Sequence, residues 1–130
     1  MSLVRVYHWR MNVIWIQRAE GLVLFILSLW VYTAMGASWW LFALFLLAPD
    51  IAMLGYLKDS KWGALVYNLA HTYALPLVLS VFAYLLNSFL FMVICVIWIA
   101  HISMDRALGY GLKLPAGFKH THLGRIGRSE

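Results

Sequence analysis

Charged side chains are scarce in this chain. Lys and Arg number 10, Asp and Glu number 5, and together they make up 12% of the 130 residues, whereas 64% are apolar and the mean hydropathy is +0.80. Soluble domains are about one-quarter charged and about half apolar, so this composition argues strongly against a water-soluble fold. The apolar residues form long runs rather than the short alternating segments of a membrane barrel, which leaves helices as the spanning structure.

Cysteine, proline and glycine are also few. Cys95 is the single cysteine, so an intramolecular disulfide is impossible. Nine glycines and three prolines, beside 16% aromatic residues, exclude collagen-like and disordered chains. The composition therefore indicates a compact bundle of apolar helices.

Four apolar stretches with short connections between them predict four spans, at about 16–35, 38–57, 62–86 and 89–112, followed by a tail at 113–130. Short connections make neighbouring helices antiparallel. We thus predict an all-α membrane protein with one domain over 1–130, a four-transmembrane-helix up-down-up-down bundle. The first run follows a basic segment and loosely resembles a signal peptide, but we expect it to be retained as a span.

The basic residues fall on one side of this predicted bundle. They lie before the first span, in the second connection, or around the end of the fourth span: Arg5, Arg10, Arg18, Lys58, Lys61, Arg106, Lys113, Lys119, Arg125 and Arg128. The positive-inside rule makes that side cytoplasmic, so we expect an inner-membrane protein with both termini in the cytoplasm. Orientation and contact with anionic lipid explain the net charge of +5, and we expect no nucleic-acid partner. Residues 3–16 alternate basic and aromatic side chains, which predicts an N-terminal amphipathic interfacial segment.

Polar residues interrupt the apolar runs, where each is costly and needs a partner. They are Glu20, Asp50, Asn68, His71, His101 and Asp105. Asp50 lies about 12 Å along a helix from Lys58, and His71 about 15 Å from Lys61, so the six share one leaflet. Asn68 and His71 are three residues apart, and His101 and Asp105 four, so each pair shares a helix face. We expect all six to face one polar pocket that opens to the cytoplasm.

Two prolines lie next to these polar residues. Pro49 precedes Asp50, and Pro76 follows His71 by about one turn. Each removes a helical donor and frees the carbonyl four residues earlier. Freed carbonyls are tolerated at membrane depth where they line a cavity or meet polar groups.

Several chemistries fit this set of residues. Carboxylates beside imidazoles suit general acid and base catalysis. Two histidines with two carboxylates also match a zinc or iron site, although the spacing is not that of HExxH and the metal and cofactor stay open. Intramembrane Asp and His chains also move protons or ions, here in a homo-oligomer, and buried His–Asp pairs can simply lock helix packing. His120 and His122 alternate in the tail and could cap the pocket or add ligands.

Four strings carry a family resemblance: LAPDIAMLGYL at 47–57, YNLAHTYALP at 67–76, WIAHISMDRALGYGLK at 98–113 and HTHLGRIG at 120–127, with RAEG at 18–21. From about residue 18 to 127 the chain resembles small bacterial integral membrane proteins classified as domain of unknown function family 4260. The resemblance implies a four-helix membrane protein and no known activity. Pro49–Asp50 and His101 to Asp105 are also similar to motifs of membrane-bound metal-dependent hydrolases, but the further His-rich motifs of those enzymes are missing.

The residues favour a membrane-embedded enzyme acting on a lipid or isoprenoid-like small molecule from the cytoplasmic leaflet. Asp50, His71, His101 and Asp105 would form the reactive centre, supported by Glu20 and Asn68. Tyr67 and Trp98 would contact the substrate, and acid-initiated isomerisation or cyclisation is as plausible as hydrolysis. The alternatives are a membrane scaffold or an oligomeric proton or ion conductor, and a metal-dependent membrane hydrolase. Whether the protein is an enzyme stays open at this point.

Overall fold

The computed structural model describes the backbone of residues 3–127. Five α-helices and one 3₁₀ helix are followed by a short antiparallel hairpin. The elements are α1 (Leu3–Met35), α2 (Trp39–Phe45), the 3₁₀ helix (Ala48–Leu57), α3 (Ser60–Ala70), α4 (Ala74–Leu85), α5 (Phe89–Leu108), β1 (His120–Thr121) and β2 (Gly124–Arg125). Arg128, the last of the predicted cytoplasmic cations, and the end of the predicted tail lie outside the described residues.

The helices are long and apolar enough to cross a membrane. Three segments, His8–Met35, Trp39–Leu57 and Phe89–Leu108, meet this criterion by length and composition, and the pair α3 and α4, bent by 43°, adds a fourth if it forms one span. Large apolar side chains cover much of the outer surface, among them Trp40 at 85% and Leu44 at 71% exposure. Such a surface suits lipid, so the prediction of an all-α, multi-pass membrane protein is confirmed.

Two of the spans are not continuous α-helices. The second changes from α2 to the 3₁₀ helix, with Pro49 within its first two residues. The third breaks at residues 71–73, just before Pro76, the third residue of α4. Proline lacks an amide donor and is tolerated in a first helical turn but not in a helix interior, so both breaks follow from the sequence. Ten residues are long for a 3₁₀ helix, a geometry that often marks functional segments.

The N-terminal segment and the first span form one helix. α1 has 33 residues and is therefore about 50 Å long, which exceeds the roughly 30 Å of a bilayer core. The predicted interfacial segment is therefore continuous with the first span in a single helix.

Close helix contact fixes the centre of the bundle. α1 packs along α5 at Gly21, where a Cβ atom would lie 2.6 Å from Arg106 Cβ and 2.7 Å from the Ala107 backbone nitrogen. Small residues allow such approaches between membrane helices. Farther along the bundle, an apolar core forms around Tyr32, Val93 and Ile97.

The tail folds back onto the bundle after α5 ends at Gly109, which adopts a left-handed φ of 90°. The Leu112 carbonyl accepts from the His122 amide, and the Leu112 amide donates to His122 Nδ1 at 2.8 Å. The Ser60 hydroxyl donates to the Pro115 carbonyl. The tail therefore covers the end of the bundle at which α3 begins and α5 ends.

Candidate metal centre

Four of the predicted residues converge in the structure. Asp50 comes from the 3₁₀ helix, His71 from the end of α3, and His101 and Asp105 from successive turns of α5. One ligand atom from each side chain lies within 4.8 Å of all the others. Both histidines are fully buried, the Asp105 side chain is 10% exposed, and the Asp50 side chain is 32% exposed.

The separations of these atoms match a tetrahedral metal site. His71 Nε2 lies 3.3 Å from Asp50 Oδ1 and 3.5 Å from Asp105 Oδ2, and His101 Nε2 lies 3.4 Å from each carboxylate. The two Nε2 atoms are 3.0 Å apart. Zinc binds nitrogen and oxygen at about 2.0–2.1 Å, which places tetrahedral ligand pairs about 3.3 Å apart. Five of the six pairs therefore lie near the edge length that a zinc-type ion requires.

With neutral imidazoles, hydrogen bonds between the four residues leave some of these short contacts without a donor. His71 Nδ1 lies 2.9 Å from the Tyr67 carbonyl, which can only accept, so Nδ1 carries the proton and a neutral His71 presents the Nε2 lone pair to the centre. A single Nε2–H on His101 cannot serve His71 and both carboxylates together. If both Nε2 atoms carried a proton, two N–H donors would face each other with their nitrogens only 3.0 Å apart, which is unfavourable. A cation at the centre satisfies all four atoms at once.

The second shell of His71 is also typical of a metal ligand. A ligating histidine commonly donates its other ring N–H to a carbonyl, as His71 does to Tyr67. The Tyr67 ring stacks on His71 with centroids 3.7 Å apart, and its hydroxyl donates to Asp105 Oδ2 at 3.4 Å. For His101, Nδ1 has no hydrogen-bond partner among the described residues, although the Leu46 backbone lies close to this ring.

The break between α3 and α4 positions His71. In an unbroken helix the carbonyls of Ala70 and His71 would bond amides four residues later. Here Trp98 Nε1 donates to the Ala70 carbonyl at 2.6 Å, and Arg106 Nη2 donates to the His71 carbonyl at 2.9 Å. Side chains of α5 thus replace the missing helical donors and hold His71 against the helix that supplies His101 and Asp105.

Two cavities border the cluster. A cleft of about 260 Å³ beneath the tail is lined by two of the candidate ligands and by aromatic and basic groups: Asp50, Met53, Tyr67, Asp105, Tyr110, Lys113, Phe118 and Ile126. An apolar cavity of about 300 Å³ lies beside it, lined by Phe45, Ala48, Pro49, Ala52, Ala70, Ile94 and Trp98. The two cavities share no lining residue, but Pro49 and Ala70 of the apolar cavity are adjacent in sequence to the candidate ligands Asp50 and His71.

Lys113 is a buried cation in the cleft. It is 3% exposed, and its Nζ lies 3.9 Å from the Phe118 ring centroid and 5.0 Å from that of Tyr67. Burial lowers the pKa of Lys113, and Asp105 and Asp50 act in the opposite direction. Within residues 3–127, Nζ has no hydrogen bond or ion pair.

The other predicted site residues occupy different positions. The Asn68 backbone carbonyl accepts from the His71 amide, but the side chain bonds the tail instead of the cluster: Nδ2 donates to the Lys113 carbonyl at 2.8 Å, and Oδ1 accepts from the Lys113 amide at 2.6 Å. Glu20 is exposed and lines a separate cavity with Tyr73, Arg106 and His122. Trp98 lines the apolar cavity, and Tyr67 lines the cleft. The structure thus brings together four of the six residues expected at one pocket.

The tail histidines lie away from the cluster as well. His120 is exposed, and His122 bonds the Leu112 amide through Nδ1. Burial and the nearby Arg106 charge lower the pKa of His122. Neither histidine is among the four residues whose ligand atoms converge.

Sequence reasoning missed Lys113 and Arg106, which it used only to orient the protein. One signal was available for Arg106, because it directly follows Asp105 near the end of an apolar helix. For Lys113 the signal is weaker, because only the fold of the tail places it over Tyr67.

The fold and the cluster define a class of protein, a multi-pass helical membrane protein with a buried Asp/His cluster at one end of the bundle. Within that class, the family described as domain of unknown function (DUF4260) matches residues 14–126, and the chain belongs to this family. Searches of curated proteins and of solved structures give no match.

Proposed function

We propose that this protein is a metal-dependent membrane enzyme that acts on a lipid-like substrate, with a zinc-type ion held by Asp50, His71, His101 and Asp105. The observation that carries the proposal is the convergence of four ligand atoms at tetrahedral spacing, with His71 in the tautomer that a metal requires. Two imidazoles and two carboxylates form a donor set suited to zinc.

The exposure of Asp50 supports a catalytic rather than a purely structural role. Structural zinc sites are closed, whereas water or substrate reaches the ion in catalytic sites. Three of the ligands are nearly or fully buried, but Asp50 is partly exposed and borders the cleft, so water or substrate would reach the ion from the Asp50 side, as a fifth ligand or in place of that carboxylate. A metal held by these four residues would supply Lewis acidity, by activating water or polarising a substrate oxygen, and we therefore favour hydrolysis as the reaction class.

The surroundings favour a lipid-like substrate. The apolar cavity beside Asp50 has Pro49, Ala70 and Trp98 among its lining residues, and each lies within three residues of a candidate ligand. A cleft lined by charged groups and an apolar cavity, each lined by residues at or next to the candidate ligands, suit a molecule with a polar head and an apolar chain. The distribution of basic residues supports placing this centre in the cytoplasmic leaflet of an inner membrane.

Elemental analysis of the full chain, purified in detergent without chelators, tests metal binding. We expect about one transition-metal ion per chain, and loss of that metal in His71→Ala and His101→Ala. His120→Ala is the matched control, because this histidine is exposed and lies outside the cluster. A metal-free wild-type protein, or equal metal content in all four proteins, would refute the metal-dependent function.

Lipid analysis tests the substrate class. Cells that lack the chromosomal gene are complemented with the wild type, Asp105→Asn or His120→Ala, and their extracted lipids and isoprenoids are compared by mass spectrometry. We expect Asp105→Asn to reproduce the profile of the gene deletion and His120→Ala to restore the normal one. If neither the deletion nor Asp105→Asn changes any lipid or isoprenoid, the assignment to lipid chemistry fails.

A further inference from the structure

Resting on the proposed metal-dependent function, we propose that the substrate is an amphiphile with a phosphate head group, which Lys113 binds beside the metal while the alkyl chain lies in the apolar cavity. The juxtaposition that carries this inference is a buried ammonium group, without a hydrogen bond or ion pair among the described residues, in the same cleft as two candidate metal ligands.

The charges of the cleft support an anionic head group. Asp50, Asp105 and Lys113 are the charged residues that line it. A divalent ion held there would neutralise the two carboxylates and leave the charge of Lys113 without an anion among the described residues. Arg106, also buried, donates within the described part of the chain to the backbone carbonyls of Tyr110 and His71, and it adds further positive potential. Burying cations without counter-ions is costly, and a bound anion removes that cost.

Phosphate fits these groups better than a carboxylate. A phosphate monoester carries up to two negative charges and three terminal oxygens, so it can contact a metal and an ammonium group simultaneously. The position of Lys113 is also well fixed, because Asn68 bonds its backbone carbonyl and amide and the side chain packs over two aromatic rings. A fixed cation loses little freedom when the anion binds.

The apolar cavity supplies the site for the chain of the same molecule. Its volume of about 300 Å³ is at the small end of ligand sites, and its lining residues carry no charge. Ala48 and Ala52, on successive turns of the 3₁₀ helix, leave the space open. An alkyl chain in this cavity would extend from a head group held at Asp50.

Equilibrium binding to the metal-loaded full chain in phosphatidylcholine nanodiscs tests the proposal. The probes are inorganic phosphate, dodecyl phosphate and dodecanoate, with empty nanodiscs subtracted and metal content measured in each sample. We expect dodecyl phosphate to bind at least about tenfold more tightly than either other probe. Preference for dodecanoate would overturn the phosphate assignment, and equal affinity for inorganic and dodecyl phosphate would overturn the amphiphile assignment.

Variants separate the roles of the two cavities. Lys113→Met keeps the length of the side chain and should weaken dodecyl phosphate binding about tenfold, while Lys113→Arg retains most of it. Lys119→Met, which removes an exposed cation, is the matched control. Ala52→Leu, which narrows the apolar cavity, should weaken dodecyl phosphate but not inorganic phosphate.

Metal content distinguishes the two possible failures. If Lys113→Met retains its metal and binds dodecyl phosphate as the wild type does, the phosphate inference is wrong and the metal-dependent function stands. If the wild type holds no metal, both the proposed function and this inference are refuted.

Discussion

Gly21→Ala is expected to disturb the candidate metal centre although Gly21 belongs to α1, a helix that supplies none of the candidate ligands. The added Cβ would lie 2.6 Å from Arg106 Cβ, 2.7 Å from the Ala107 nitrogen and 2.9 Å from the Ser103 carbonyl oxygen. Two of these are backbone atoms that cannot rotate away. Restoring an ordinary contact of 3.4 Å requires α1 and α5 to separate by about 0.8 Å. Overpacking of this kind costs about 1–3 kcal/mol.

The displacement would reach the ligands because Ser103 and Arg106 flank Asp105 in α5. A shift of this size exceeds the roughly 0.5 Å tolerance of a preorganised site, so metal affinity should fall about tenfold or more. Thermal unfolding in detergent measures the loss of stability, and titration with a competing chelator measures the affinity. Leu22→Ala is the control, because its side chain is 50% exposed. Wild-type stability and affinity in Gly21→Ala would refute the packing that we describe.

Two further predictions concern the groups around the site. Trp98→Phe removes the donor to the Ala70 carbonyl, so it should destabilise the protein by about 1–3 kcal/mol and weaken metal binding. Trp40→Phe is the control, because Trp40 is 85% exposed, and it should have neither effect. Equal unfolding temperatures for the two variants would show that this hydrogen bond does not stabilise the break between α3 and α4. The pKa of His122 is lowered in the folded protein, so the stabilisation from neutral His122 is complete above the unfolded value of about 6.5 and declines as pH falls below it. Unfolding temperatures at pH 7.5 and 5.5 should therefore diverge between the wild type and His122→Gln, with the wild type losing more at pH 5.5, and parallel losses would contradict the role of the Leu112–His122 bond.

The sequence predicts the membrane class and most of the site for identifiable reasons. Long apolar runs and short connections determine the spans. His101 and Asp105 lie four residues apart on one helix, so helical geometry alone places them together, and they are 3.4 Å apart in the structure. Prolines at 49 and 76 mark the segments that present Asp50 and His71.

What could not be predicted depends on tertiary contacts. Asn68 lies three residues from His71, yet both the nitrogen and the oxygen of its side-chain amide are hydrogen-bonded to the backbone of Lys113 in the tail. The sequence places Glu20 at the same predicted membrane depth as the other polar residues. In the structure its neighbour Gly21 is the residue that packs against α5, and the Glu20 carboxylate is exposed at a separate cavity. Helical spacing indicates which residues share a face and does not determine which face meets which helix.

X-ray absorption spectroscopy of the metal in the purified, chelator-free protein tests the central claim most directly. The structure predicts a four-coordinate centre with nitrogen and oxygen neighbours at about 2.0–2.1 Å, including two imidazoles, and no sulfur neighbour. In His71→Ala one imidazole contribution should disappear. A spectrum with no imidazole scattering, with a sulfur ligand, or unchanged by His71→Ala would contradict a metal centre formed by Asp50, His71, His101 and Asp105.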